Sequence, residues 1–194
     1  MNKKHKLTKE SIQHSGRTLY RIEALKDFSN VNKGDKGGFI EREENLSHDG
    51  DCWIYHTAKV YGDAKVSGNA EVCGNAQVCE NAKVFGNAQV FRHARVFGNA
   101  RVFGNAEVCG NAEVSGNAKV FGNAAVFGDA IVFGNAAVFG NARVFGDAKV
   151  DGDAKTPLKV YGHMVLKEDR WYNDQNELDK IASPLYKALM KEVV

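Results

Sequence analysis

His93 is the side chain of the repetitive central sequence that is best suited to acid–base chemistry. It follows Arg92 at a position where neighbouring repeats carry Gly-Asn. A histidine can accept a proton from a hydroxyl or an amine, because its pKa lies close to neutral pH. A histidine in a turn can also have a conformational role, since His accepts a left-handed backbone almost as Asn does. We therefore treat His93 as a candidate general base and keep the conformational role as its alternative.

The sequence offers no motif for a metal, a cofactor or a covalent intermediate. The four cysteines are too scattered for a zinc motif, and His56 and His93 alone cannot supply the three histidines of a zinc site within the repeats. We find no phosphate-binding glycine loop, no cysteine nucleophile with a partner histidine and no paired carboxylates. The sequence therefore predicts neither metal nor cofactor.

A six-residue unit governs residues 54–150 and must position any functional side chain there. Each unit contains Ala, a variable residue, Val, an aromatic or small residue and then, most often, Gly-Asn. The Ala-Lys-Val-Phe order of residues 82–85 has the period of a β-strand, with Lys83 facing water and its Ala and Val neighbours facing inward. The following pair marks a turn, and we assign the left-handed backbone to its second position, where Asn, Asp or His93 prevails.

Four strand residues and a two-residue corner make one side of a prism, and three sides close a coil of eighteen residues. One unit cannot bury its own apolar face, so coils must stack. We predict an all-β fold, a left-handed parallel β-helix of roughly five to six coils. At a strand spacing of roughly 4.8 Å the column would be about 27 Å tall. A sandwich or barrel is disfavoured because the spacing never drifts, and a four-sided right-handed solenoid would suit a period of five.

Three segments follow from this assignment. Residues 1–53 form a cap with an irregular first coil, residues 54–155 form the β-helix, and residues 156–194 form a second cap. Ile40 and Leu46 are six residues apart, so we place the first coil there, with a two-residue insertion before the regular repeats.

The C-terminal cap is predicted to end in a helix. Ser183-Pro184 is a favourable helix start, and Leu185, Leu189 and Val193 would lie on one face of the segment that follows. This helix either closes the top of the column or docks on a neighbouring subunit.

The leader of the chain resembles a known family. The runs LYRIEALKDF (residues 19–28), GGFIE (37–41) and ENLS (44–47), followed directly by the repeats, resemble the YdcK-like family of bacterial and prophage hexapeptide-repeat proteins. The resemblance covers roughly residues 17–155. It implies a left-handed β-helix in a bacterial or phage cytoplasmic protein, and it assigns no catalytic residue.

The predicted fold also resembles that of the hexapeptide-repeat acyltransferases. Those enzymes use a histidine as general base in a cleft between subunits and are commonly trimers, which would give His93 its role. They also carry an extended loop that projects from the coils and helps to form the acyl-donor cleft, whereas no loop interrupts residues 54–155. We therefore expect a non-catalytic protein and keep acyl transfer as the rival function.

Residues eighteen apart should be vertical neighbours, and this rule gives three unequal faces. One face presents an unbroken phenylalanine ladder beside a basic column, and its candidate binding residues are Lys83, Phe85, Arg101, Phe103, Lys119, Phe121 and Phe139. If each ring leaves about 100 Å² exposed, the strip reaches about 400 Å², a size that usually marks an interaction site. The stacked cations also repel one another. This face should therefore be covered.

Three kinds of contact could cover the phenylalanine ladder and its basic column. Lys and Arg stems could lie over the Phe rings within the subunit. The chain could self-associate, most simply as a homotrimer, with this face against the face that bears Glu71 and Glu107. An anionic ligand with flat rings, such as a nucleotide defence signal or single-stranded nucleic acid, could also bind. We favour self-association, and the net charge of +2 argues against duplex nucleic acid.

Composition places the protein in an ordinary class. The chain has 194 residues, of which 43% are hydrophobic, as in a single globular domain. No apolar run approaches a membrane span, and the polar N-terminus lacks a signal-peptide core. Cys73 and Cys109 would lie two coils apart, too far for a disulfide. We expect a reduced, cytoplasmic binding or scaffold protein with no membrane partner.

Overall fold

The computed structural model describes residues 3–156, 159–160, 164–167 and 170–173. The chain forms an all-β parallel solenoid of about seven turns, which confirms the predicted solenoid and adds to the predicted number of coils. Within the described residues, no helix is both long and apolar enough to cross a membrane. The helix predicted after Ser183 lies outside the described residues.

The elements follow the six-residue period. The cap contains β1 (His5–His14), β2 (Arg17–Ala24), β3 (Lys36–Ile40) and a 3-10 turn (Glu43–Asn45). Short strands then recur as β4 Trp53–Ile54, β5 Lys59–Val60, β6 Lys65–Val66, β7 Glu71–Val72, β8 Gln77–Val78, β9 Lys83–Val84, β10 Gln89–Val90, β11 Arg95–Val96, β12 Arg101–Val102, β13 Glu107–Val108, β14 Glu113–Val114, β15 Lys119–Val120, β16 Ala125–Val126, β17 Ile131–Val132, β18 Ala137–Val138 and β19 Arg143–Val144. The last strands described are β20 Lys149–Asp151, β21 Lys155–Thr156, β22 Lys159–Val160, β23 Met164–Lys167 and β24 Arg170–Asn173.

Three parallel stacks form the sides of the prism. Every third strand pairs in register, as Arg101 pairs with Lys83 below and with Lys119 above. One stack has 6 strands, one has 7, and the third is an 11-stranded sheet that also includes the cap strands. Residues eighteen apart are therefore vertical neighbours, as predicted.

Valine and alanine fill the interior. The inward Ala and Val side chains of the repeats, from Ala58 to Ala154, are 0–1% exposed. Burying each valine contributes about 1.5 kcal/mol or more. The narrow column needs a small residue beside each valine, which is why alanine recurs at the preceding inward position. The interior therefore fixes the register of every coil.

The left-handed backbone lies at the first corner position, so our assignment to the second position was wrong. Gly104, at a first position, has φ 74°, and the residues that replace glycine there keep this conformation, with φ 60° at Glu80 and 65° at Arg92. Glycine prevails because a Cβ on Gly104 would lie 3.0 Å from the backbone of Gly122 in the next coil. His93 therefore does not hold a left-handed corner.

Asparagine at the second position builds a side-chain ladder. Nδ2 of Asn87 donates to Oδ1 of Asn105, and Nδ2 of Asn105 donates to Oδ1 of Asn123, both at 3.0 Å. The run extends from Asn69 to Asn141, and a second corner has the same run from Asn99 to Asp153. Each amide has one donor and one acceptor side, so identical residues can link consecutive coils.

The two ends depart from the eighteen-residue rule by two residues. At the bottom, Ile40 pairs with Val60 and Leu46 bridges to Val66, so an irregular coil with a two-residue insertion precedes the regular repeats. At the top, β22 and β23 still pair in parallel with β19 and β20, although the six-residue pattern ends after β21. β24 then pairs antiparallel to β23. The stack thus extends beyond residue 155, where we expected the regular coils to end.

Opposite substitutions at two corners test the conformational assignment. Gly104→Ala should lower stability by about 1–3 kcal/mol, because the new Cβ meets backbone at a positive φ. Arg92→Gly should raise stability by about 1 kcal/mol, because it relieves the same backbone conformation. Thermal unfolding of both variants measures the two signs, and a stabilising Gly104→Ala would contradict the assignment.

A second pair of variants tests the asparagine ladder. Asn105→Ala removes two ladder hydrogen bonds and should cost about 1–2 kcal/mol, since each is worth about 0.5–1.5 kcal/mol. Asn81 occupies an equivalent corner position, and no side-chain ladder hydrogen bond is found for it in the described part of the chain. Asn81→Ala is therefore the matched control. Urea or thermal unfolding should show the larger loss of stability for Asn105→Ala. Equal losses of stability in the two variants would contradict a stabilising role of the ladder.

Candidate functional site

The predicted phenylalanine ladder exists and is regular. The rings of Phe85, Phe103 and Phe121 stack with centroids 4.9 Å apart and planes 1° from parallel. Phe139 continues the stack at 5.5 Å and 16°. We call the side of β6, β9, β12, β15, β18 and β21 the phenylalanine face. The strand spacing brings its four rings together as the sequence predicted.

The rings are half-buried, which corrects the exposure that we expected. Each ring between two others has its flat surfaces covered by its neighbours, so Phe103 and Phe121 present their edges to water. The exposed apolar strip is consequently smaller than the area estimated from the sequence. Stacking also stabilises the face internally, since offset aromatic pairs contribute about 0.5–1.5 kcal/mol each.

The phenylalanine face carries uncompensated positive charge. Lys65, Lys83, Arg101 and Lys119 pair directly with one another up its six-stranded sheet, and all four are exposed. Like charges directly opposite on neighbouring strands are destabilising. Within the regular coils from β4 to β20 the other two faces place opposite or neutral partners in register instead, and like charges meet there only at the upper end of the described stack, in the pairs Arg143–Lys159 and Lys167–Arg170. On the 11-stranded sheet Arg95 donates to Glu113 at 2.9 Å, and on the 7-stranded sheet Gln89 donates to Glu71 at 3.4 Å.

Cation–π contacts form elsewhere. The guanidinium of Arg95 lies 5.1 Å from the centroid of Phe97 on the 11-stranded sheet, and that of Arg21 lies 4.3 Å from Phe39 in the cap. Among the described residues, none of the cation–π contacts involves the basic column of the phenylalanine face. In the coils from β6 to β18, the charged ends of the Lys and Arg side chains on this face therefore do not lie over the Phe rings.

His93 lies exposed at a corner, away from the phenylalanine face. Its backbone N–H donates to Gly110 O at 2.9 Å in the next coil, and its side chain interrupts the amide ladder between Asn75 and Asn111. Among the described residues, no carboxylate or carbonyl is found to orient its ring. Arg92 and His56 share the neighbouring corner column rather than a cleft, and Glu80 accepts from Gly98 N at 2.9 Å on another corner.

The four cysteines are free thiols. Burial raises the pKa of the Cys52, Cys73, Cys79 and Cys109 thiols. A raised pKa keeps a thiol protonated and poorly nucleophilic near neutral pH. Cysteine nucleophilic chemistry therefore finds no support here.

The cap contains a polar cluster that the sequence analysis missed. Lys4 and His5 are fully buried at the start of β1, where the His5 and His48 rings pack with centroids 4.2 Å apart and planes tilted by 31°. His48 Nε2 lies 3.1 Å from Glu43 Oε1, on the 3-10 turn, and Lys3 Nζ donates to the same carboxylate at 2.8 Å. These residues come from two separate stretches of non-repetitive sequence, residues 3–5 and 43–48, so no spacing pattern could have brought them together.

Buried donors and charges shape this cluster. The Lys4 ammonium donates to Gly50 O at 2.9 Å, Cys52 O at 2.8 Å and Cys52 Sγ at 3.2 Å, so all three of its hydrogens are used. Burial, reinforced by the charges of His48 and Lys4, lowers the pKa of His5 to about 3. The hydrogen bond from Lys3 lowers the pKa of Glu43. His5 is therefore a neutral, buried imidazole beside an ionised carboxylate.

Comparison with known proteins agrees with this architecture. The YdcK β-solenoid repeat model matches residues 94–110. A protein named "Uncharacterized acetyltransferase YdcK" from Escherichia coli (strain K12) is 49% identical over 37 residues, which are 19% of this chain and 11% of that protein. The match thus spans a small part of the relative's length. Together with the parallel stack of coils, these matches support a β-solenoid repeat protein that is similar to YdcK.

Proposed function

We propose that this solenoid is a non-catalytic scaffold that self-associates through its phenylalanine face, most simply as a homotrimer. The basic column carries the proposal: Lys65, Lys83, Arg101 and Lys119 repel one another in the isolated subunit. Between β4 and β20 the chain balances the in-register charges of its other two faces, so the run of four stacked cations on this face favours an external partner. Acidic side chains from a second copy would supply the missing charge.

The 7-stranded side of the same chain has the complementary spacing. We call it the acidic face, and Gln89 there pairs with Glu71 below and Glu107 above. Lys83 and Lys119 flank Arg101 in the same way. In both columns the flanking charges stand two strands apart, roughly 9.6 Å. Parallel subunits can therefore align Lys83 with Glu71 while they align Lys119 with Glu107.

The upper coils offer apolar contact at the same level. The variable position becomes Ala125 on the acidic face and Ala137 on the phenylalanine face. Phe139 and Phe127 lie nearby and are half-buried within the subunit. An interface would thus have an apolar upper part and a charged lower part. In protein–protein contacts, apolar side chains commonly provide the packing and complementary charges guide the association of the partners.

A ring-to-charge substitution tests the interface directly. Phe103→Asp should weaken self-association at least about 100-fold, because a carboxylate would be buried among stacked rings. Phe97→Asp is the matched control, since Phe97 is also half-buried but lies on the 11-stranded side. Light scattering across a dilution series measures the assembly. A monomeric wild-type chain, or equal effects of both variants, would contradict the proposal.

A charge exchange tests the pairing of the two faces. Lys83→Glu should raise the dissociation constant about 10-fold or more, because it places a second carboxylate against Glu71. Adding Glu71→Lys should recover most of the loss, since the opposite charges are restored with their positions exchanged. Sedimentation at low and moderate salt measures both steps. If the second change fails to restore association, the proposed partner surface is wrong.

Binding of a nucleotide, for instance a defence signal, has weaker support. The basic column could hold phosphates, but the Phe rings already stack on one another at 4.9 Å, which leaves no space for a base between them. Open ring surfaces would remain only at the ends of the ladder, for example below Phe85, where the next residue in the column is Ser67.

Acetyl transfer is a second candidate function, because the similar protein from Escherichia coli bears the word acetyltransferase in its name. His93 would be its general base. If so, His93→Ala should lower acetyl transfer to an amine or hydroxyl acceptor by about 10²–10⁴-fold, with His56→Ala as the control. An assay with acetyl-coenzyme A and a panel of acceptors measures this. Absence of turnover by the wild-type chain would support the scaffold function.

A further inference from the structure

The imidazole of His5 is the least satisfied polar group found in the described part of the chain. It is 0% exposed, and neither Nδ1 nor Nε2 has a hydrogen-bond partner. Buried polar atoms are nearly always paired, because an unpaired one forfeits its hydration without compensation. An orphaned imidazole in a native cap therefore points to a missing partner.

That partner would lie between three potential ligands. The ligand atoms of His5, Glu43 and His48 all lie within 4.8 Å of one another. We infer that His5, Glu43 and His48 bind one divalent transition-metal ion, with zinc as the best chemical match. Two imidazoles and one carboxylate form a known zinc ligand set, and the metal–ligand distances of about 2.0–2.2 Å require the three atoms to approach by roughly 1 Å.

The two lysines beside the cluster are placed so that a metal ion can replace the Lys3 ammonium as the partner of Glu43. Lys3 pairs with Glu43 at 2.8 Å, but its side chain is 55% exposed and can turn into solvent when the metal takes the carboxylate. Lys4 directs its three hydrogens to Gly50 and Cys52, away from the ligand set. Binding thus replaces a monovalent partner of Glu43 with a divalent one, while the Lys4 ammonium remains in place and opposes the gain in part.

Metal binding also changes one hydrogen bond of His48. Its Nδ1 accepts from the Lys4 backbone N–H at 3.2 Å, which places its own hydrogen on Nε2 beside Glu43. Coordination through Nε2 moves that hydrogen to Nδ1, so the long contact from Lys4 is lost. The amide NMR signal of Lys4 should therefore shift when the metal binds, which gives a local readout of the site.

The site would fasten the two parts of the cap. His5 begins β1, whereas Glu43 and His48 belong to the irregular first coil. A metal ion on all three cross-links sequence positions that are otherwise far apart, and such a link stabilises the folded chain relative to the unfolded chain. The inference concerns the cap alone and is independent of the proposed interface.

Titration of the metal-free full chain with Zn²⁺ tests this site. Calorimetry should show one ion per chain, and the melting temperature should rise with free Zn²⁺. His5→Gln, Glu43→Gln and His48→Gln should each raise the dissociation constant at least about 10-fold. Glu44→Gln and His56→Gln, which alter exposed residues of the same types outside the ligand set, should leave it unchanged.

Glu43→Gln keeps the size of a partly exposed side chain, so it tests binding even if the His5 variant fails to fold. Circular dichroism verifies the fold of each variant before titration. The inference is overturned if wild-type chain shows no saturable binding of one equivalent. It is equally overturned if Glu43→Gln and His48→Gln bind as tightly as the wild type, or if the two control variants lose binding to the same extent.

Discussion

Close stacking of the corners is the constraint on which the rest of this structure depends. A Cβ added at Gly104 would lie 3.0 Å from the backbone of the coil above, so glycine is favoured at this corner where successive coils keep their eighteen-residue register. The inward Ala and Val side chains impose the same eighteen-residue register from within. Together they place each outward residue directly below its counterpart in the next coil, and the composition of each column then sets the properties of a face.

Columns of identical residues have opposite effects according to their chemistry. Asparagine in the corner column gains from repetition, because each amide donates upward and accepts from below. Phenylalanine gains as well, because each ring covers the next. A column of lysine and arginine destabilises the fold, because the repeated positive charges repel one another and have no partner within the column. Between β4 and β20 the chain balances charge on two faces and stacks four cations on the third, which is why the phenylalanine face supports our proposal of a contact between molecules.

Much of this architecture was predictable from the sequence, and the failures have physical causes. The six-residue pattern was enough to predict the strands, the three faces and the irregular coil at Ile40. The left-handed backbone was assigned to asparagine because asparagine tolerates it, but glycine and Arg92 have that backbone conformation. The asparagine side chains form the ladder instead. The exposure of Phe103 was overestimated because mutual stacking is a tertiary effect. The cluster around His5 could not be predicted from the sequence, since only the folding of the non-repetitive cap brings His5 close to Glu43.

Zero-length cross-linking of a mixture of isotopically light and heavy chains tests the central claim most directly, because it reports register and association together. The account predicts mixed-isotope links that join Lys83 to Glu71 and Lys119 to Glu107 between different chains. Links confined to single chains, or intermolecular links that join Lys83 to acidic residues of the 11-stranded side such as Glu113, would contradict it.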